Sequence, residues 1–297
     1  EDLGRFRCNA YFQRGHLSAA IRMVPLTVPR LDDLAVPKVI KELCQRPRGL
    51  ILVTGATGSG KSTTLAALLH HLNTTQALHI LTLEDPIEFE HVSAKSLVQQ
   101  RAVPGHSHSF DTALRAALRQ DPDVIMIGEI RDLETAQIAV QASLTGHLVF
   151  ATLHTNDAVS AVTRLVDMGV EPFLLASSLI GVGAQRLVRM LCPDCRKPVA
   201  PDAAQLRTLG FAPIAGKFYA AQGCAACNHT GYRGRSGIYE FFTLDEALRA
   251  LIHDGVSEQA LHAHLAGTGM RSLRDDGMRW VAAGMTTLEE VVRVTRE

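Results

Sequence analysis

No apolar run in this chain reaches the ~20 residues that a membrane-crossing helix needs. No basic segment followed by a short apolar stretch stands at its start, so neither a spanning helix nor a secretory leader is read in it. Excess charge is missing too: 30 Lys and Arg balance 30 Asp and Glu, and nothing in the net charge asks for a polyanionic partner. Aromatics are scarce, at 5% of residues with a single Trp. There is no basic, aromatic-studded stripe of the kind on which single-stranded nucleic acid stacks. An initiator Met is also absent; the chain starts at Glu1 and runs straight into strand-like sequence, as a fragment of a longer protein would. What remains is 46% hydrophobic and 20% charged over 297 residues. That is the composition of a soluble globular protein with one large or two smaller domains and ample core.

Gly55-Ala56-Thr57-Gly58-Ser59-Gly60-Lys61-Ser62-Thr63 satisfies the phosphate-loop pattern G-x-x-x-x-G-K-[ST]. The context is right for it. Gly49 to Thr54 is an apolar run that reads as a buried strand, and Leu65, Leu68, Leu69 and Leu72 recur at helical spacing after it. Glycines let successive backbone N–H groups point inward as an anion nest at a helix N-terminus. Lys61 would reach the β- and γ-phosphates of a nucleotide, and the Ser62 hydroxyl would sit on Mg²⁺.

Three further strands follow, each closed by chemistry. His79 to Leu83 runs into Glu84-Asp85-Pro86-Ile87-Glu88, whose carboxylates either hold Mg²⁺ and position water or form a plain solvated turn. Val124 to Ile127 is apolar without alternation and ends in Gly128-Glu129, where a glutamate can orient or deprotonate water. Leu148 to Leu153 is flanked by His147 and His154, a pair beside a nucleotide site that reads either as structural or as γ-phosphate sensing. Helices are expected over Val36–Gln45, 110–120 and 130–144, and a helical pattern broken at Gly169 and Pro172 over Ala158–Val188. Residues 90–109, with His91, His106 and His108, read as an exposed loop with room for a short strand.

Residues 4–25 alternate apolar and polar side chains and read as two strands joined near Arg14-Gly15. Arg5, Arg7, Arg14 and Arg22 lie along them, as a solvated face or as arginine fingers. Pro25 to Pro37 is linker-like. Cys192-Pro-Asp-Cys195 and Cys224-Ala-Ala-Cys227 form two C-x-x-C pairs, which can supply four thiolates to a structural Zn²⁺ in a reducing compartment. Cys8 and Cys44 are expected to be buried apolar residues. From Leu244 onward the sequence reads as amphipathic helices without visible chemistry, with N-terminal signals at Ser257 and a capping box at Thr287-Leu-Glu-Glu290.

Together these residues resemble the secretion ATPase superfamily that powers type II secretion and type IV pilus assembly, over essentially the whole chain. Gly55 to Thr63 is similar to its Walker A and Thr82 to Glu88 to its Asp box. Gly128-Glu129-Ile-Arg-Asp132 is similar to its atypical Walker B, and Thr145-Gly-His147 through His154-Thr-Asn156 to its His box. The resemblance implies an α/β, RecA-like P-loop NTPase with a tetracysteine zinc insert and a C-terminal helical subdomain. The expected division is 1–29, the last strands of a sheet (PAS-like) domain; 30–48, linker and short helix; 49–190, ATPase core; 191–232, zinc module; and 233–297, helical subdomain. It implies ATP, Mg²⁺ and Zn²⁺ as cofactors and Lys61 and Ser62 as phosphate and Mg²⁺ ligands. Glu129 becomes the catalytic glutamate, Glu84 a water- or Mg-positioning acid, and His147 and His154 γ-phosphate sensors. Arg7 and Arg22 become the favoured arginine fingers, with Arg5 and Arg14 behind them. The implied protein is a cytoplasmic homohexamer reaching the inner membrane through platform and adaptor partners, without nucleic acid, and driving pseudopilus assembly in type II secretion. Pilus extension is the alternative, retraction a lesser one, since retraction motors lack the C-x-x-C pairs. A DNA-translocating motor is the alternative of a different class.

Overall fold

Along one strand Leu50 and Leu52 point to one side and Ile51 and Val53 to the other, and all four are buried. Strand side chains alternate between faces, so a strand buried on both must lie inside a three-layer α/β/α arrangement. The computed structural model describes residues 4–200, Leu206 and residues 216–296, and it has this architecture.

The chain opens with a hairpin, β1 (Arg5–Gln13) and β2 (His16–Val24), turning at Arg14-Gly15. A 3₁₀ turn (Leu31–Leu34) lies within the expected linker, and α1 (Lys38–Leu43) follows. Then come β3 (Gly49–Thr54), α2 (Lys61–Thr75), β4 (His79–Glu84), β5 (Leu97–Ala102), α3 (Phe110–Ala117), β6 (Val124–Ile127), α4 (Leu133–Leu144) and β7 (Leu148–Leu153). Next are α5 (Val159–Asp167), α6 (Pro172–Ser178), β8 (Leu179–Leu191), the short pair β9 (Lys197–Pro198) and β10 (Tyr219–Ala220), and β11 (Tyr232–Thr243). Helices α7 (Glu246–His253), α8 (Glu258–Gly267), α9 (Leu273–Ala282) and α10 (Leu288–Thr295) close the chain. Among the described residues no helix is long and apolar enough to cross a membrane.

Seven strands form one sheet in the order β11-β8-β3-β7-β6-β4-β5, parallel throughout except where β11 runs against β8. From β3 the chain crosses through α2 to β4, three places away, and β6 and β7 then fill the gap. The reversal beside β3 opens a crevice at the carboxyl ends of the strands, where open α/β sheets take ligands. Helices α1 and α2 cover one face, and α3 to α6 with the C-terminal helices cover the other.

Three expectations are corrected. The helical pattern read through Val188 stops at Ser178; from Leu179 the chain is strand, because Gly181 and Gly183 lie flat against Phe241 of β11 and β3 pairs along the other edge. Within residues 90–109 the short strand that the sequence left room for is there, the six-residue edge strand β5. Cys8 is exposed on the hairpin, whereas Cys44 is buried and burial pushes its thiol up to about 12. At α10 the Thr287 hydroxyl accepts the Glu290 N–H at 3.2 Å, but the Glu290 carboxylate goes to arginines instead of completing a capping box. Of the expected 1–29 and 191–232 units, residues 1–3, 201–205 and 207–215 lie outside the described residues.

Candidate functional site

The glycine loop leaves β3 and presses against β8. Gly55 and Gly60 both have positive φ (148 and 93). A Cβ at Gly55 would sit 2.5 Å from the Gln185 carbonyl oxygen, and one at Gly60 would sit 2.7 Å from Gln185 Nε2. Only glycine fits that approach. Thr64 Oγ1 donates to Gln185 Oε1 at 2.8 Å and fastens the start of α2 to the same strand. Helix α2 begins at Gly60 without a side-chain cap, leaving its first N–H groups directed at the loop. Lys61 is buried, and its Nζ donates to the carbonyls of Gly55 (2.7 Å) and Ala56 (3.2 Å). Burial lowers the pKa of its ammonium and the nearby Glu129 carboxylate opposes that fall. Ser62 is exposed beside it.

Across from the loop, the ends of three parallel strands supply the opposite wall. Lys61, Ser62, Glu84, Asp85, Glu129, Thr152 and His154 line one cavity of about 180 Å³, with Leu65, Phe89, Phe110 and Met126 as its apolar part. Glu84 is buried at the end of β4; its Oε1 accepts from Thr82 Oγ1 (2.7 Å) and Gln100 Nε2 (3.0 Å). Burial raises its pKa and those two donors hold the rise back. Glu129, just beyond β6, meets His154 Nε2 at 3.2 Å through Oε2 and pairs with Arg131 through Oε1; Arg131 also lies 3.6 Å from Asp85. Thr152 Oγ1 donates to the Gly128 carbonyl at 2.5 Å and ties β7 to the β6 end. An anion nest, an ammonium, a hydroxyl and two carboxylates thus converge, a donor set suited to a polyphosphate and a divalent cation.

Not every sequence candidate arrives. His147 sits before β7, at the opposite end of the strand from His154, with Nδ1 2.9 Å from the Ala142 carbonyl. Six strand residues, ~20 Å, separate it from the cavity within one chain. Arg7 and Arg22 are cross-strand partners on the exposed hairpin, and neither lines the cavity. Arg5 instead reaches the Ile87 (3.2 Å) and Glu88 (3.4 Å) carbonyls and the Glu90 carboxylate (3.2 Å). His91, expected on an exposed loop, lines the cavity, and burial together with the neighbouring His70 brings it down to about 4. Sequence reasoning gave no role to Gln100, Arg131, Gln185 or Arg186. Of these only Arg131 carried a signal, two residues beyond Glu129. Arg186 Nη2 donates to the Asn156 carbonyl at 2.8 Å and bridges the back of the glycine loop to the segment after β7.

The four cysteines form a second constellation. Cys192 and Cys195 follow β8, Cys224 and Cys227 precede β11, and all four sulfurs lie within 4.8 Å of one another. The separations Cys192–Cys224, Cys195–Cys227 and Cys224–Cys227 are 3.9, 3.9 and 3.8 Å. A disulfide needs about 2.05 Å; the edge of a tetrahedron with Zn–S bonds of ~2.3 Å is about 3.8 Å. Backbone N–H groups of Gly223, Cys224 and Gly231 donate to the Cys195 and Cys227 sulfurs at 3.2–3.3 Å, as thiolate ligands require. The donor set fits Zn²⁺.

The family model for type II/IV secretion system proteins matches residues 31–293. The type II secretion system protein HxcR of Pseudomonas aeruginosa is 57% identical over 272 residues, 90% of this chain and 54% of that protein. The type II secretion system ATPase E of Vibrio cholerae serotype O1 is 57% identical over 260 residues, 86% of this chain and 50% of that protein. The chain therefore spans about half the length of the curated relatives it matches. The crystal structure of the pilus retraction motor PilT with bound ADP superposes with a TM-score of 0.78 at 36% identity, covering 100% of this chain and 75% of that one. The ATPase DotB of Legionella pneumophila superposes with a TM-score of 0.76 at 26% identity, covering 99% and 74%.

Proposed function

The chain belongs to the type II/IV secretion system protein family, and from that premise we propose that it is the ATP-hydrolysing, RecA-like part of a secretion motor. One observation carries the reading: Lys61, Ser62, Glu84, Glu129 and His154, from four separate stretches of sequence, line a single cavity against a phosphate loop. Lys61 exchanges two loop carbonyls for β- and γ-phosphate oxygens, and that anionic contact favours the charged ammonium that burial disfavours. Mg²⁺, when bound with the nucleotide at Ser62, neutralises phosphate charge. Glu129 exchanges Arg131 for the attacking water and takes its proton, His154 keeps the other carboxylate oxygen in place, and Glu84 orders water from the opposite side.

The arginines complete the site between subunits. Arg7 and Arg22 stand opposite each other across the hairpin and make no ion pair among the described residues. Such a like-charged pair is a cost that a neighbouring subunit's nucleotide removes. The same reading assigns His147 to contacts outside its own cavity. Residues 1–29, 30–48, 49–190, 191–232 and 233–297 act as hairpin remnant, linker, ATPase core, zinc module and helical subdomain. The protein works as a cytoplasmic homohexamer on inner-membrane partners and couples hydrolysis to pseudopilus assembly. Cys192, Cys195, Cys224 and Cys227 hold Zn²⁺ as a staple for a segment too short to hold its own core. The likeness to PilT favours pilus retraction as a second reading, against which the four cysteines weigh.

The test is Mg-ATP turnover against protein concentration, with mass and metal content measured on the same samples. Turnover that rises with assembly into hexamers, at about one zinc per chain, is the expected result. Concentration-independent turnover from a metal-free monomer would sink it.

A further inference from the structure

Gln100 is a mid-strand residue of β5, paired in register with Thr82 on β4. Its side-chain amide is fully used. Oε1 accepts the His91 N–H at 2.7 Å, while Nε2 donates to Glu84 Oε1 at 3.0 Å and to the Phe89 carbonyl at 2.9 Å. This network admits one orientation. Flipping the amide would set NH₂ against an N–H and oxygen against a carboxylate and a carbonyl. Thr82 Oγ1 supplies the second bond to the same Glu84 oxygen. Oε1 is thus taken by two side-chain donors, the Glu88 backbone N–H also favours the carboxylate, and Glu84 lines the cavity.

We propose that Gln100 is a positioning residue for Glu84, fixing one carboxylate oxygen so that the other is presented to the cavity, and tying that orientation to the loop from Asp85 to His91. The proposal rests on the ATPase reading for its consequence and on the hydrogen bonds alone for its geometry. An acid buried at the end of a strand has little but its donors to fix its rotation. Thr82, on the same strand, cannot do so alone, because a single hydroxyl leaves the carboxylate free to swing about that bond. The amide arrives from the neighbouring strand and supplies the second point. It also clamps the loop carrying Phe89 and His91, so the wall of the cavity and its acid are set together.

Two variants separate the roles. Gln100→Met removes all three bonds at similar size. Gln100→Glu keeps an acceptor for the His91 N–H but turns an oxygen toward Glu84. Mg-ATP kinetics are measured for the parent, both variants, Glu84→Gln, and Gln100→Met combined with Glu84→Gln, and thermal unfolding is followed in each. Expected are a fall in kcat of about tenfold or more in both single Gln100 variants with KM within about twofold, a transition-state loss in kind. The double variant is expected to be no slower than Glu84→Gln, since residues acting as a unit are not additive. Losses that multiply in the double variant, or parent-like turnover in Gln100→Glu, would overturn the proposal and leave the ATPase reading intact. A parent without turnover, but with positions 84 and 100 coupled in thermal unfolding, would sink the ATPase reading and uphold the hold of Gln100 on Glu84.

Discussion

At the residue scale the cavity separates binding from chemistry. Lys61 is the ammonium at the glycine loop, buried against its own carbonyls. Lys61→Ala is therefore expected to abolish nucleotide binding in a calorimetric titration. Glu129 stands on the opposite wall beside His154. Glu129→Gln should bind Mg-ATP with near-parent affinity and lose about 10²- to 10⁴-fold in turnover, the usual worth of a general base; equal turnover in the two proteins would remove the assignment. Lys61, Glu129 and His154 were legible because each lies within a few residues of a strand end or loop that the chain itself spells out. Gln100, Gln185 and Arg186 were not. They reach the site through strand pairing, and the register of β5 on β4 or β8 on β3 is a property of the folded sheet that no local pattern of side chains reveals. His147 shows the converse: two histidines flank one strand, but a strand has two ends and the cavity lies at only one.

At the element scale β8 was the segment misread. Its apolar residues continue the spacing of the helix before it, and Gly181, Gly183 and Ala184 carry too little side chain to declare a period. What decides the matter is the unpaired edge of β3 on one side and β11 on the other. The last helix is fastened to this strand by Glu290. The carboxylate is fully buried, and it takes Arg189 Nη2 at 2.8 Å, Arg189 Nε at 3.1 Å and Arg293 Nη2 at 2.6 Å. Burial alone would push Glu290 up; the guanidinium groups of Arg293 and Arg189 outweigh it and bring it down to about 2. A depressed carboxylate stabilises the fold above its ordinary value, and that contribution drains away as pH falls from about 4.5 to about 2. Glu290→Gln is expected to cost about 3 kcal/mol at neutral pH, as the loss of a buried pair does. In acid unfolding curves its stability should fall less steeply across that same window.

At the scale of the whole molecule the hairpin is the part that does not close on itself. Phe12, Leu17, Ile21 and Met23 are 80%, 71%, 66% and 72% exposed, more apolar surface than a two-stranded ribbon can carry unaided. The sequence made the hairpin legible through its alternation, but not its isolation, because exposure depends on what else is present. If Arg7 and Arg22 serve a neighbouring cavity, chains with both changed to Ala should lose turnover. Adding Glu129→Gln chains, which keep the arginines, should restore part of it. A mixture as inactive as its components would place the arginines elsewhere.

Strand β8 is longer than the sheet requires. Its middle backs the glycine loop at Gln185; seven residues on, ~23 Å along an extended strand, it delivers Cys192 to the sulfur cluster, and Arg189 anchors α10 on the way. Paired to β11 from Gly181 to Leu191, it is a two-stranded ribbon whose middle rests against the phosphate loop and whose tip carries the cysteines. The glycine loop and the cysteines are thus served by one continuous strand, and the packing of the one and the placing of the other share a single register. Its pairing with β11 shifts register once, between Tyr232 and Arg235 opposite the tip, so the cysteine end is the part of the ribbon least tied to the sheet.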